Sequence, residues 1–182
     1  NMGDDARADE TLITHAAKGH PGASIWRTGQ GLVVPRSYLR SPTFEQTCQD
    51  FAQAGWPIGV RQSGGGVVPQ GPGVINLSLA YAVQGKPLDH SDAGYQLICT
   101  IIGQVLQGFG IHTRAQAVAG SFCDGRYNLA TGPENQPRKV VGTAQVWRRQ
   151  PGVDGGEAFQ VALVHAVILA YADIGTITDQ AN

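Results

Sequence analysis

Cys123 is the residue with the clearest capacity for covalent chemistry. It sits in Gly120-Ser121-Phe122-Cys123-Asp124-Gly125, where an Asp-Gly turn brings a thiol within reach of a substrate. A thiolate is the reactive form of cysteine, and a nearby ammonium favours it. Lys139 supplies that ammonium if its segment pairs with Tyr127-Asn128-Leu129 as a hairpin, and it is equally suited to polarising an acyl carbonyl. Arg126 is the second candidate cation. Asp124 works the other way if it lies close, because a neighbouring negative charge disfavours the thiolate. The plain alternatives are a small buried hydrophobe for Cys123 and a solvated hairpin lysine for Lys139.

A second group of residues is built for ligand approach. Arg61-Gln62-Ser63-Gly64-Gly65-Gly66 follows a strand and continues through Gly71 and Gly73 to Asn76 and Ser78. Three successive glycines permit positive φ and close backbone approach, and their amides can form an anion-binding concavity beside the Arg61 charge. It is not a phosphate-binding P-loop, since no Gly-Lys-Ser/Thr follows and no helix begins there. A tight hairpin with a solvated arginine is the plain alternative. His165, with Leu163 and Val167 on its face of Val161–Val167, is either a satisfied core histidine or a base for Cys123. No His/Cys cluster has metal-ligand spacing, so no metal is expected.

These residues must be positioned by a recognisable set of elements. Asp9–Lys18 reads as a helix ended by Gly19, and Gly31–Pro35 as a short strand. Ser41-Pro42-Thr43 opens a helix whose face carries Phe44, Cys48, Phe51 and Ala52, which makes Cys48 a core residue, and Gly55 closes it. Pro57–Arg61 is a strand, as is Val74–Leu79, which sends Ile75, Leu77 and Leu79 to one face and Asn76 and Ser78 to the other. The longest helix runs from about Ser91 to Gln107, with Tyr95, Ile98, Ile102, Val105 and Phe109 as its apolar stripe and Cys99 beside it. Strands follow near Ala115–Val118, Tyr127–Ala130, Lys139–Val146 and Phe159–Tyr171, separated by loops at Thr131–Arg138 and Gln150–Glu157. Helices interspersed with many short strands give an α+β, or mixed α/β, class.

Composition narrows the function. At 182 residues the chain suits a single domain with a substantial core. Its 13 Lys+Arg balance 14 Asp+Glu, and its densest basic cluster, Trp147-Arg148-Arg149, is short, so neither nucleic acid nor an anionic membrane is expected as partner. Three cysteines without a C-x-x-C pair favour free thiols in a reducing, cytoplasmic setting. No apolar run reaches spanning length and no signal-peptide pattern opens the chain; Asn1 before Met2 reads as a cloning remnant.

Taken together, two segments carry a family resemblance. Val60-Arg61-Gln62-Ser63-Gly64-Gly65-Gly66 with Gly73-Val74-Ile75-Asn76-Leu77-Ser78 resembles the arginine–serine–glycine-rich signature of the biotin/lipoate protein ligase superfamily. Lys139-Val140-Val141-Gly142-Thr143-Ala144-Gln145 resembles that family's lysine–x–x–glycine motif, in the right order and separation. The resemblance, which covers roughly Asp9 to Ala172, implies a mixed, largely antiparallel sheet packed by helices, with a channel for a lipoyl or octanoyl chain. It places Arg61, Ser63, Gly64, Gly65, Gly66 and Asn76 at the binding site and Lys139 on the acyl carbonyl. Ser78, Gly142 and His165 complete the expected substrate-binding set. Gly120–Leu129 is most similar to the cysteine-dependent octanoyl/lipoyl transferase branch, which implies Cys123 as the thioester nucleophile. Val60 replaces the first of the family's paired arginines, which weakens adenylate binding, and the chain has no room for the accessory domain typical of ligases.

The expected activity is therefore octanoyl or lipoyl transfer to the lysine of lipoyl domains of 2-oxoacid dehydrogenase acyltransferase subunits. The glycine-cleavage H protein or acyl carrier protein is the expected donor, and no cofactor is tightly bound. An ATP-dependent ligase acting through an acyl-adenylate is the alternative. A non-catalytic acyl-binding or lipoyl-domain-binding module is the third reading.

Overall fold

A computed structural model describes residues 2–152 and 156–181. In chain order the elements are α1 (Met2–Ala17), β1 (Gly22–Trp26), β2 (Gly31–Pro35), a 3-10 turn (Arg36–Arg40), α2 (Phe44–Gln53), β3 (Ile58–Arg61) and β4 (Val68–Gln70). They continue with β5 (Val74–Val83), α3 (Pro87–Gly108), β6 (Arg114–Ala115), β7 (Leu129–Thr131), β8 (Arg138–Gln150), β9 (Phe159–Leu169) and α4 (Ile174–Ala181). Residues 153–155 of the expected Gln150–Glu157 loop lie outside the described residues.

The main sheet has six antiparallel strands in the order β1-β5-β9-β8-β7-β6. The smaller sheet has the order β3-β2-β4, with β2 parallel to β3 and antiparallel to β4. The architecture is the mixed α+β expected, with a largely antiparallel sheet and helices packed on it.

Period-two alternation divides the central strand β9 between two cores. Ala162, Val164 and Ala166 pack with Ile98, Cys99 and Ile102 of α3, whereas Val161 and Leu163 pack with Ile13 and Ala16 of α1. Because β5 and β9 are covered on both sides, they read as nearly continuous apolar runs. The α1 side also faces the smaller sheet, and the space between them is where the polar residues Asn76, Ser78 and His165 project. A third cluster joins Leu32, Trp56, Phe122 and Ile177, so α4 and the smaller sheet together support the loop that carries Cys123. Full burial of a side chain the size of Phe122 contributes roughly 2 kcal/mol.

Several expectations need correction. In α3 the buried residues are Gly94, Ile98, Cys99 and Ile102, while Val105 and Phe109 are 57% and 78% exposed. Val105 and Phe109 extend a seven-residue repeat, which drifts off a face of 3.6 residues per turn; Leu106 packs on the core instead. Cys48 is half-buried, not core, because α2 lies on the small sheet and has no fully buried residue; Ala52 is exposed. The strand expected at Ala115–Val118 is the two-residue β6, since the backbone of Val118 is taken by the Asp124 carboxylate. Strand β9 stops at Leu169, where the N–H groups of Ala170 and Tyr171 both turn to the Gly73 carbonyl. Strands β1 and β4 and helix α4 had no counterpart in the sequence reading, and α1 begins earlier than Asp9.

The turn before β5 depends on Gly73. Its φ is +81°, and a Cβ there would stand 2.4 Å from the Ala172 amide nitrogen. Gly73→Ala should therefore destabilise the fold by more than about 2 kcal/mol, read as a lower midpoint in urea unfolding.

Candidate active site

Cys123 is placed by a turn with an unusual backbone. Its φ is +45°, in the left-handed region, and it is the non-glycine residue with positive φ among the described residues. Such a conformation costs of order 1 kcal/mol or more and persists only where surrounding contacts enforce it. The contacts are present. Phe122 is buried in the third cluster. Asp124 accepts hydrogen bonds from the Val118 N–H at 2.7 Å and the Asn128 amide at 3.1 Å, which staples the loop ends together. Lys139 Nζ donates to the carbonyls of Phe122 (2.6 Å) and Cys123 (3.1 Å) and lies 4.5 Å from the centre of the Phe122 ring.

A β-bulge brings Lys139 to this position. Ala130 pairs with Lys139 and Leu129 with Val141, so β8 advances two residues while β7 advances one. Val140 and Val141 therefore both pack toward α3, and Lys139 and Gly142 share the opposite face. A Cβ on Gly142 would approach Lys139 Cε at 3.1 Å and Nζ at 3.2 Å, which is why the position after the intervening pair is glycine. Burial pushes the Lys139 ammonium down to about 8, partly opposed by Cys123 and Asp124.

The glycine loop closes over the thiol from the other side. The Gly66 N–H donates to Cys123 Sγ at 3.3 Å. Gly65 has φ +106°, and a Cβ there would be 2.9 Å from Cys123 Sγ and 3.0 Å from Arg61 Nη2. Arg61 is not the solvated arginine of a plain hairpin. Its guanidinium donates to the carbonyls of Val33 (2.8 Å), Gly64 (2.9 Å) and Gly66 (2.7 Å), and burial lowers its pKa.

A cavity of about 160 Å³ opens beside these groups. Ile13, Val33, Val60, Val68, Leu163 and Val167 give it aliphatic walls, and Cys123, Lys139 and Gly142 line it too. Ser63 also lines it and is 3% exposed, with a hydroxyl that has no protein partner. Asn76 is tied to Gln70 by two reciprocal amide hydrogen bonds of 2.8 and 3.1 Å, which fixes that wall. Gly64 does not line the cavity; its carbonyl serves Arg61.

His165 lines the same cavity within a network of its own. Its Nδ1 is 2.9 Å from Ser78 Oγ and its Nε2 is 3.3 Å from an Asp9 carboxylate oxygen, while the Trp26 indole N–H donates to Ser78 Oγ at 3.1 Å. Both ring nitrogens thus have partners other than the thiol. Arg126 likewise points outward into an ion pair with Asp92. Sequence reasoning missed Asp9 and Trp26 because α1 begins well before Asp9 and because β1, with its two large apolar residues, lacks a strong strand pattern. It also read Asp124 only as a charge, not as the fastener of the turn.

The match to known proteins now has a structural frame. Residues 6–169 match the model of the lipoyl protein ligase A/B catalytic domain. The chain belongs to that family. It is 50% identical over 185 residues to an uncharacterized protein of Cupriavidus necator, an alignment covering 99% of this chain and 72% of that protein. It is 32% identical over 167 residues to an octanoyl-[GcvH]:protein N-octanoyltransferase of Kyrpidia tusciae, covering 92% of this chain and 56% of the relative. The chain thus spans about half the length of such transferase relatives. A lipoate-protein ligase A solved bound with ATP superposes with a TM-score of 0.70 at 15% identity, over 94% of this chain and 63% of the ligase, which shows a shared fold. Among the described residues no helix is long and apolar enough to cross a membrane.

The three thiols differ enough in setting to be told apart chemically. Burial pushes Cys99 up to about 11, and burial with Glu45 raises Cys48, whereas the Cys123 thiol accepts from an amide at a cavity wall, with the Arg61 guanidinium across the Gly65 gap and Lys139 on its backbone carbonyl. Brief iodoacetamide treatment near neutral pH should label Cys123 at least about tenfold faster than Cys48 or Cys99, measured by peptide mass mapping.

Proposed function

We propose that residues 1–182 act as the cofactor-transferase unit of an octanoyl or lipoyl transferase, with Cys123 as nucleophile and Lys139 as the group that polarises the acyl carbonyl. The observation that carries this reading is a thiol on the wall of a largely apolar cavity, with the Gly66 N–H on its sulfur and the Lys139 ammonium on the backbone carbonyl of the same residue. The aliphatic walls suit an unbranched acyl chain, and the unpartnered Ser63 hydroxyl is available to a polar acyl head.

In the first step the Cys123 thiolate attacks the carbonyl carbon of an acylated donor. The sulfur–carbon bond forms, the bond to the donor's leaving nitrogen or sulfur breaks, and the leaving group takes up a proton. In the second step the neutral amine of an acceptor lysine attacks the thioester. The amide bond forms, the lysine loses a proton, and Cys123 leaves as thiolate. Lys139 and the Gly66 N–H are the donors that stabilise the oxyanion of both tetrahedral intermediates. To do so, Lys139 exchanges one of its loop carbonyls for the acyl oxygen.

Acceptors are lipoyl domains of 2-oxoacid dehydrogenase acyltransferase subunits, and the donor is an acylated H protein or acyl carrier protein in the cytoplasm. The Kyrpidia relative's description as an octanoyl-[GcvH]:protein transferase supports the H-protein donor. Against an adenylate-forming ligase stands Arg61, whose guanidinium gives three of its five N–H groups to backbone carbonyls and so has fewer to offer a phosphate.

Incubation with octanoyl-H protein should add one octanoyl mass to the protein, removable by hydroxylamine and absent from Cys123→Ala. That variant should also lose transfer to a lipoyl domain. ATP-driven acylation that survives Cys123→Ala would instead select the ligase.

Lys139→Arg should keep the fold but slow transfer by about 10²–10³, because a planar guanidinium does not replace a compact ammonium at a carbonyl. Lys139 loses its proton as pH rises through about 8, so native transfer should decline above that pH. The residual rate of Lys139→Arg should show no such decline, since arginine does not titrate there.

A further inference from the structure

Arg61 is a half-buried cation with no carboxylate partner among the described residues. The ion pairs found there join Arg126 to Asp92, Arg148 to Glu10 and His165 to Asp9. Arg61 instead bonds only neutral carbonyls, and its Nε is buried without a partner. An uncompensated charge at such a site is costly, so buried cations normally sit against an anion.

The anion-capable group beside it is the Cys123 sulfur. The gap left by the missing Gly65 side chain is bounded by Sγ on one side and Nη2 on the other, which sets the two less than about 6 Å apart. Gly66 links them as well, donating its N–H to Sγ while its carbonyl accepts from Arg61 Nη2.

The other charged and titratable groups near the sulfur are already committed. Lys139 is bound to the Phe122 and Cys123 carbonyls and gives up its charge near pH 8. Asp124 is held by Val118 and Asn128. Tyr95, half-buried and pushed upward mainly by burial, is stacked on Tyr127. Arg126 is paired at the surface. Tyr38, which faces Arg61 from the 3-10 turn, is partly exposed.

We propose that Arg61 is the built-in counter-ion of the Cys123 thiolate, a permanent cation that stabilises the sulfur anion and aims the Gly66 amide at it, and that it takes no part in holding substrate phosphate. This rests on the reading of Cys123 as nucleophile and deepens it. Arg61 is accordingly a positioning residue, acting through Cys123. The arrangement also accounts for the lone arginine: with Val60 in the preceding position, its charge serves the thiol.

The test is the pH profile of Cys123 alkylation by iodoacetamide, followed by peptide mass mapping in the native protein, Arg61→Met and Arg61→Lys. Thermal melts of each protein establish that it is folded. Arg61→Met should move the alkylation midpoint upward by about one pH unit, roughly tenfold slower labelling at neutral pH. Arg61→Lys loses the three-carbonyl fork but retains the charge, so its midpoint should stay close to native. A midpoint unmoved in Arg61→Met overturns the proposal. Equal shifts in both variants overturn it too, because loop fastening alone would then explain the effect. If Arg61→Met does not fold, Arg61→Lys decides by itself: a native-like midpoint despite the lost carbonyl bonds supports the counter-ion, and a shift of a unit or more sinks it. Alkylation needs no acyl donor. A native profile that depends on Arg61 in a protein that transfers nothing would therefore condemn the transferase reading and leave this one standing.

Discussion

The approach of the Gly65 backbone to the Cys123 side chain is the constraint around which the site is arranged. A single methyl group at Gly65 would meet both the sulfur and the Arg61 guanidinium inside van der Waals contact, at 2.9 and 3.0 Å. The glycine loop and the cysteine turn are far apart in sequence, so their contact closes the space between the two sheets. It also explains why the smaller sheet exists in this form. Parallel pairing of β2 with β3 delivers Arg61 opposite Pro35, and from there its guanidinium reaches the Val33 carbonyl and the loop carbonyls. The glycines are thus less a flexible hinge than a surface trimmed to admit sulfur.

A left-handed cysteine is unstable by itself, and the fold over-determines it. Phe122 is anchored in a cluster that reaches α4, Asp124 ties the turn to Val118 and Asn128, and Lys139 ties its carbonyls to β8. The anchors lie in the third cluster, at the loop's own ends and on β8, so the turn cannot relax without disturbing several of them. The strained backbone presents the thiol to the cavity and turns the Asp124 carboxylate into the loop, toward the Val118 N–H.

Much of this was legible in the sequence, for identifiable reasons. Cys123, Lys139 and the Arg61–Gly66 loop could be picked out because glycine runs and thiol-bearing turns leave local signatures, and every one of them except Gly64 either lines the cavity or touches Cys123. The expected α+β class followed from the alternation of helices and short strands. What could not be read was whatever depends on partners distant in the chain. Arg61 finds its carbonyl acceptors on β2 and in the glycine loop, and His165 is claimed by Ser78 and Asp9 from two other elements. The bulge at Val140 is invisible in a pattern of period two, yet without it Lys139 would face α3. Edge strand β1 and helix α4 were missed because weak local patterns are rescued by tertiary packing, here against β5 and beneath Phe122.

Lys139 carries the cost of this design in its own ionisation. Its folded value of about 8 lies below the ordinary 10.5, so between these limits the unfolded chain binds more protons than the folded one. Stability from this group therefore rises with pH across that window, and the burial penalty is present in full below about pH 8, on the order of 3 kcal/mol. The protonated form is the one able to hold the Phe122 and Cys123 carbonyls and to polarise a substrate carbonyl. Folding and chemistry pull this residue in opposite directions, and the site sits where the charged form is still populated at neutral pH. A lysine left in water would remove the penalty, but it would also lose the low-dielectric surroundings that make one ammonium effective at a carbonyl. The Phe122 ring above Nζ and the two loop carbonyls recover part of the lost hydration, which is how a charge at this depth is tolerated beside a thiol.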